Sequence, residues 1–247
     1  MKIIRFSYAG GVYRGVLTGD RVDFEQAGGN RTRCSLEDVE LLPPVSPGKI
    51  ICFGLSYAPH AEELGMDPSG EPVIFLKPPS ALTGHGGKIV IPDISRRVDH
   101  EAELAVVIGQ QTSRVSRTDA FSKVMGYTCF NDVTARDIQE MDGQWTRAKS
   151  FDSFAPLGPW IETELDVSDI SVEAYLNGEL RQKGRTSELI FGVDRMIEFV
   201  SRVMTLYPGD VIATGTPPGV GPILPGDVVE IRIEGIGSLV NEAVAET

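Results

Sequence analysis

Cysteine is scarce here: three residues, Cys34, Cys52 and Cys129, odd in number and nowhere in a CxxC spacing. That excludes a disulfide framework and a thiolate zinc site. Cys52 and Cys129 lie in apolar runs and read as small core residues. Histidine is equally sparse, at three. Positive charge is outnumbered: 23 Lys and Arg stand against 35 Asp and Glu, a formal net charge of −12 at pH 7. Such a field repels nucleic acid and anionic membrane surfaces, so neither is expected as a partner, and an anionic substrate needs locally placed cations. No apolar run approaches the length of a bilayer span, and residues 1–6 alternate like a strand where a signal peptide would carry an apolar block. A cytoplasmic location is expected. There is no GxSxG elbow and no GxxxxGK[ST] phosphate loop. The glycine-rich segment 215–221 follows a strand-like run, but its prolines remove backbone donors, which argues against nucleotide binding.

What is present is an ordinary globular mixture, 247 residues with 41% hydrophobic and 23% charged. That length supports one large core and a small appendage. Residues 1–45 read as short strands with turns at Gly10-Gly11 and Thr18-Gly19-Asp20, a small β-rich leading domain ending in prolines. From 46 to 247 a larger domain is strand-dominated, with apolar runs at 50–53, 73–76, 89–91, 101–108, 124–130, 172–176, 211–213 and 228–233. Asn177-Gly178 is a type I′ hairpin signal. A helix is expected over 193–204, with Val193, Met196, Ile197, Val200, Val203 and Met204 on its core face, and a shorter one over 59–64.

The chemistry concentrates at 99–109. Alternate strand residues share a face, so Glu101 and Glu103 stand with Ala105 and Val107 while Ala102, Leu104, Val106 and Ile108 face the other way. With both faces apolar, two neighbouring carboxylates do not stay ionised without a cation; the alternative is a strand end open to water. Asp132, at the end of the next apolar run, is the natural third carboxylate, or else a turn or helix cap. Three carboxylates without thiolate describe a hard site, Mg²⁺ or Mn²⁺ before Zn²⁺. His60 and Glu63 are neighbours on one face of the short helix, either a base with its orienting carboxylate or plain surface. His85 and His100 read as structural polar residues. Lys149 lies between aromatics, snorkelling by default or buried against an anion. Thr216 sits in a turn that either merely connects strands or offers its hydroxyl to a carboxylate.

Seven ordered motifs, ICFGLSYAPH at 51–60, FLKP at 75–78, HEAEL at 100–104, NDVTARD at 131–137, AKSFD at 148–152, LNG at 176–178 and TGTP at 214–217, resemble the fumarylacetoacetate hydrolase family over about 49–244. The resemblance implies an α+β, strand-dominated catalytic domain, a mixed β-sheet rolled into a flattened barrel, in a homodimer. It implies Mg²⁺ or Mn²⁺ held by Glu101, Glu103 and Asp132, and a 2-oxo acid or its enol as substrate. His60 and Glu63 would activate water on a lid, Lys149 with Gln139 and Arg136 would stabilise oxyanions, and Thr216 would contact a carboxylate. The implied reactions are carbon–carbon hydrolysis or decarboxylation of acylpyruvate-like or oxaloacetate-like acids. An isomerase or tautomerase of such enols is the alternative, and a metal-binding scaffold without turnover is a third. The family's lid commonly reads Asn-Tyr-Ala-Asp-His; here Ser56 and Pro59 replace its asparagine and aspartate. Residues 143–145 and 151–159 resemble the bacterial isomerase-like and oxaloacetate-tautomerase-like branches.

Overall fold

The apolar runs read from the sequence become strands within about one residue of their expected ends, because each alternates or fills both faces of a pleated sheet. The computed structural model describes residues 1–26, 28–57 and 70–246. Within these residues the fold is α+β and strand-dominated, with mixed sheets. The expected short helix at 59–64 lies outside the described residues.

The largest sheet has twelve strands. From one edge its path runs Arg31–Ser35, Arg21–Glu25, Gly11–Thr18, Lys2–Tyr8, Ala155–Glu162, Val124–Asn131, Ala102–Ile108, Val211–Ala213, Ile50–Gly54 and Val73–Lys77. Neighbours on this path are antiparallel, except that Val211–Ala213 runs parallel to Ile50–Gly54. The leading strands therefore continue the main sheet, with Lys2 opposite Glu162 and Ile3 opposite Ile161. A five-stranded sheet, ordered Glu179–Arg185, Ser171–Leu176, Val228–Ile233, Gly237–Ala245 and Lys88–Ile91, lies across from it. Asn177 and Gly178 join its first two strands with positive φ at both positions, as the type I′ turn demands.

Strand Ala102–Ile108 is central, and every residue in it is buried. Leu104, Val106 and Ile108 pack with Val172, Ile231 and Leu239 of the five-stranded sheet and with Met196, Ile197 and Val200 of helix Val193–Val203. Ala105 and Val107 join a second cluster on the opposite face with Ile50, Cys52, Phe130, Leu157 and Val211. The alternation is thus the one expected. The strand itself is not continuous from Glu101: Val98–His100 pairs in a separate three-stranded sheet, and the chain changes sheets at Glu101. There the Glu101 N–H donates to the Asn131 side chain at 2.9 Å and its carbonyl accepts from the Asp132 N–H. One helical position also departs from expectation. Val203, placed on the core face, is exposed because the helix ends there, with Met204 already extended.

Candidate active site

The break at Glu101 puts two strand ends side by side. Glu103 emerges from the start of Ala102–Ile108, and Asp132 follows the last residue of the antiparallel partner Val124–Asn131, whose Asn131 lies opposite Ala102. One oxygen from each of Glu101, Glu103 and Asp132 lies within 4.8 Å of the others. For comparison, opposite oxygens on an octahedral ion with bonds near 2.1 Å are roughly 4.2 Å apart. All three carboxylates are buried.

Cations meet two of the three. Helix Thr146–Lys149 brings in Lys149, whose Nζ donates to Asp132 Oδ2 at 2.6 Å, to Glu101 Oε2 at 2.9 Å and to Thr134 Oγ1 at 2.8 Å. The side chain is fully enclosed and 4.9 Å from the centre of the Phe75 ring, so the snorkelling expectation is corrected: two carboxylates hold the ammonium inside. Burial pulls the Lys149 pKa down, but Asp132 and Glu101 outweigh it and leave the ammonium above the ordinary lysine range. Helix Arg136–Asp142 supplies Arg136, which pairs with Glu101 Oε1, with Asp99 Oδ2 at 2.9 Å and with Gln139 Oε1 at 2.6 Å. For Glu101, burial favours the neutral acid, yet Lys149 and Arg136 prevail and lower its pKa to about 2.

Glu103 is the exception. Among the described residues its hydrogen bond comes from the Gly215 N–H, 2.8 Å from Oε2. Burial, together with Asp132 and Glu101, raises its pKa well above the usual carboxylate range. Gly215 has φ +89°, and a Cβ there would stand 1.9 Å from Ser56 Oγ. Only glycine brings this N–H to Glu103 beside buried Ser56. An all-oxygen trio with one carboxylate that pairs with no cation among the described residues fits a hard divalent ion, which would relieve the crowding at Glu103.

The trio opens on a cavity of about 290 Å³ lined also by Arg136, Gln139, Lys149, Thr216, Phe75 and Trp145. Seven of the nine residues singled out from the sequence therefore meet at one place. His60 and Glu63 lie outside the described residues. A larger cleft of about 560 Å³, between Phe121, Tyr127, Leu165 and Val193, contains none of the seven. His100 bonds through Nδ1 to the Gln182 side chain, and His85 accepts the Val240 N–H.

Three participants had no role in the sequence reading. Lys77, fully buried, pairs with Asp132 Oδ1 and donates to the Val133 carbonyl at 3.1 Å. Asp99 anchors Arg136 from behind. Gln182 ties Thr216 to the strand start at Ala102. A lysine closing the apolar strand Val73–Lys77 was the one available signal, while Gln182 sits in a hairpin strand that is otherwise mostly exposed.

Comparison with known proteins agrees with this geometry. The fumarylacetoacetate (FAA) hydrolase C-terminal family matches residues 49–244. An uncharacterised protein of Archaeoglobus fulgidus is 52% identical over 240 residues, 97% of this chain and 95% of that protein. The crystal structure of 5-carboxymethyl-2-hydroxymuconate delta-isomerase from Mycobacterium smegmatis superposes with TM-score 0.93 at 44% identity, covering all of both chains. Maleylpyruvate hydrolase from Sphingobium sp. SYK-6, solved in complex with manganese (II) ion and pyruvate, gives TM-score 0.86 at 32% identity, again over both whole chains. With the buried carboxylates, the cavity and these relatives in agreement, the chain belongs to the fumarylacetoacetate hydrolase family.

Proposed function

We propose that this protein is a divalent-metal-dependent enzyme acting on 2-oxo acids and their enols, cleaving or decarboxylating acylpyruvate-like or oxaloacetate-like substrates. The observation that carries the reading is Glu103, a buried carboxylate with two anionic neighbours and, among the described residues, no cationic side chain among its hydrogen-bond partners, at the wall of a cavity sized for a small acid. Glu101, Glu103 and Asp132 would hold Mg²⁺ or Mn²⁺, which when bound supplies Lewis-acid stabilisation of the charge that develops as a 2-oxo acid becomes its enolate. The manganese and pyruvate in the Sphingobium hydrolase support that choice of ion and ligand class.

The chain's own groups do the rest. Lys149 and Arg136 bring fixed positive charge to an otherwise acidic cavity, which attracts a carboxylate and offsets negative charge growing on it. Gln139, bonded through its oxygen to Arg136, keeps its amide hydrogens for the ligand. Thr216 offers a hydroxyl from the cavity wall. In this reading His60 and Glu63 activate water for carbon–carbon hydrolysis. An isomerase or tautomerase of such enols is the second reading, favoured by the 44%-identical isomerase and requiring only a single base to move a proton.

The test is an incubation with oxaloacetate, acetylpyruvate and a 2-hydroxy-dienedioate, each with Mg²⁺, with Mn²⁺ and with a chelator. Metal-dependent release of pyruvate supports cleavage. Loss of enol absorbance without a smaller product supports isomerisation. No metal-dependent change in any substrate overturns both and leaves a metal-binding scaffold.

A further inference from the structure

Gln182 is wholly buried although its hairpin strand, Glu179–Arg185, is largely exposed. It lies across from Ala174, and its side chain reaches the strand start at Ala102 on one side and the Thr216 turn on the other. The turn approaches the hairpin closely: Gly219 has φ +97°, and a Cβ there would stand 2.3 Å from the Arg181 carbonyl. The bonding partners settle which way the amide points. Ala102 N–H can only donate, and it lies 3.0 Å from Oε1; the Pro217 carbonyl can only accept, and it lies 2.8 Å from Nε2. Reversing the amide would set donor against donor and acceptor against acceptor.

With that orientation fixed, the remaining two bonds have a direction. Oε1 also takes the His100 Nδ1 proton at 2.9 Å, so His100 is the Nδ1–H tautomer. The second Nε2 hydrogen goes to Thr216 Oγ1 at 2.8 Å. Thr216 Oγ1 is therefore an acceptor towards Gln182, and its own hydrogen is left for something else. Among the described residues it donates to no protein group, while its residue lines the cavity with Lys149 and Arg136. We propose that Gln182 is a positioning residue that turns the Thr216 hydroxyl hydrogen into the cavity, making it a donor to a ligand carboxylate. Were the hydrogen drawn to residue 182, Thr216 would present lone pairs to an anion. The inference rests on reading the cavity as a 2-oxo acid site.

The variant Gln182→Glu, when ionised, keeps an acceptor for Ala102 and His100 but replaces the donating amide by a second oxygen, which takes the Thr216 hydrogen and leaves the Pro217 carbonyl without its donor. Pyruvate is titrated into Mn²⁺-loaded protein, followed by water-proton relaxation, with Mn²⁺ affinity measured separately. The expected result is pyruvate affinity weakened by about tenfold or more, with Mn²⁺ affinity unchanged within about twofold. In a Thr216→Val background, Gln182→Glu should weaken pyruvate no further, an outcome a merely structural role does not give. Folded Gln182→Glu with wild-type pyruvate affinity, or additive losses in the double variant, overturns the inference. If Gln182→Glu does not fold, Thr216→Ser against Thr216→Val decides: only the latter should lose pyruvate, and equal affinity in both overturns it. Wild-type protein that binds Mn²⁺ but takes up no pyruvate defeats the proposed function and this inference with it.

Discussion

At one end of the twelve-stranded sheet, Phe6, Tyr8, Tyr13 and Phe24 stack with ring centroids 4.9 to 6.0 Å apart, around a small cluster completed by Ile4, Leu17, Val22 and Cys34. At the middle of the same sheet, strand Ala102–Ile108 is just as deeply buried but begins beside three carboxylates, of which Glu101 and Asp132 are held by two lysines and an arginine. The core of the first region is apolar throughout. The second carries the desolvation cost of buried charge, and its hydrogen bonds and ion pairs offset that cost without making the ionic core better than an apolar one. Burial to the same depth thus serves stability in one region and chemistry in the other.

The sharpest way to break this comparison is at Glu103. Glu103→Ala should abolish metal-dependent turnover and the rise in melting temperature on adding Mn²⁺. Glu103→Gln, measured without metal, should melt at or above wild type, because a repelled carboxylate is removed. A clear fall in metal-free stability for Glu103→Gln would mean that the carboxylate is structural.

Next come substitutions that should cost similar amounts for different reasons. Phe6→Ala empties the aromatic cluster and should lower unfolding free energy by about 3–5 kcal/mol, by denaturant titration, while leaving Mn²⁺ affinity per folded molecule unchanged. Lys77→Met deprives buried Asp132 of one of its two ammonium partners and should cost about 3–5 kcal/mol in metal-free protein. Saturating Mn²⁺ should shrink that loss, since a dication supplies the missing charge; a loss equal with and without metal would separate Lys77 from the site. The smallest effect belongs to Arg97→Ala. Arg97 is half exposed and Asp99 keeps its bond to Arg136, so the change should stay within about 1 kcal/mol, read as a small shift in the denaturation midpoint.

Much of the site was legible in the chain because it depends on strand geometry. The two-residue spacing of Glu101 and Glu103 places both on one face, and Asp132 follows the adjacent run, so antiparallel pairing brings the three together. The cations were harder to read. Lys149 reaches Glu101 across 48 positions of sequence and Lys77 reaches Asp132 across 55, and no periodicity encodes such a meeting. Lys149 looked like a snorkelling side chain because its sequence neighbours are aromatic; Phe75 of the distant strand Val73–Lys77 covers it, and Glu101 and Asp132 hold its ammonium inside. The break at Glu101 was likewise hidden, since an apolar run does not announce that its first residues pair in another sheet.

By itself, then, the sequence determined the strand-dominated architecture, the two-sided burial of 102–108, the hairpin at Asn177-Gly178 and the identity of the three acids, all consequences of backbone period and of side-chain chemistry in local order. Only the tertiary structure decided which cations neutralise which acid, that Glu103 pairs with none among the described residues, and that Gln182 directs Thr216. Those outcomes depend on long-range packing, where the low dielectric of the interior makes each pairing of distant residues count.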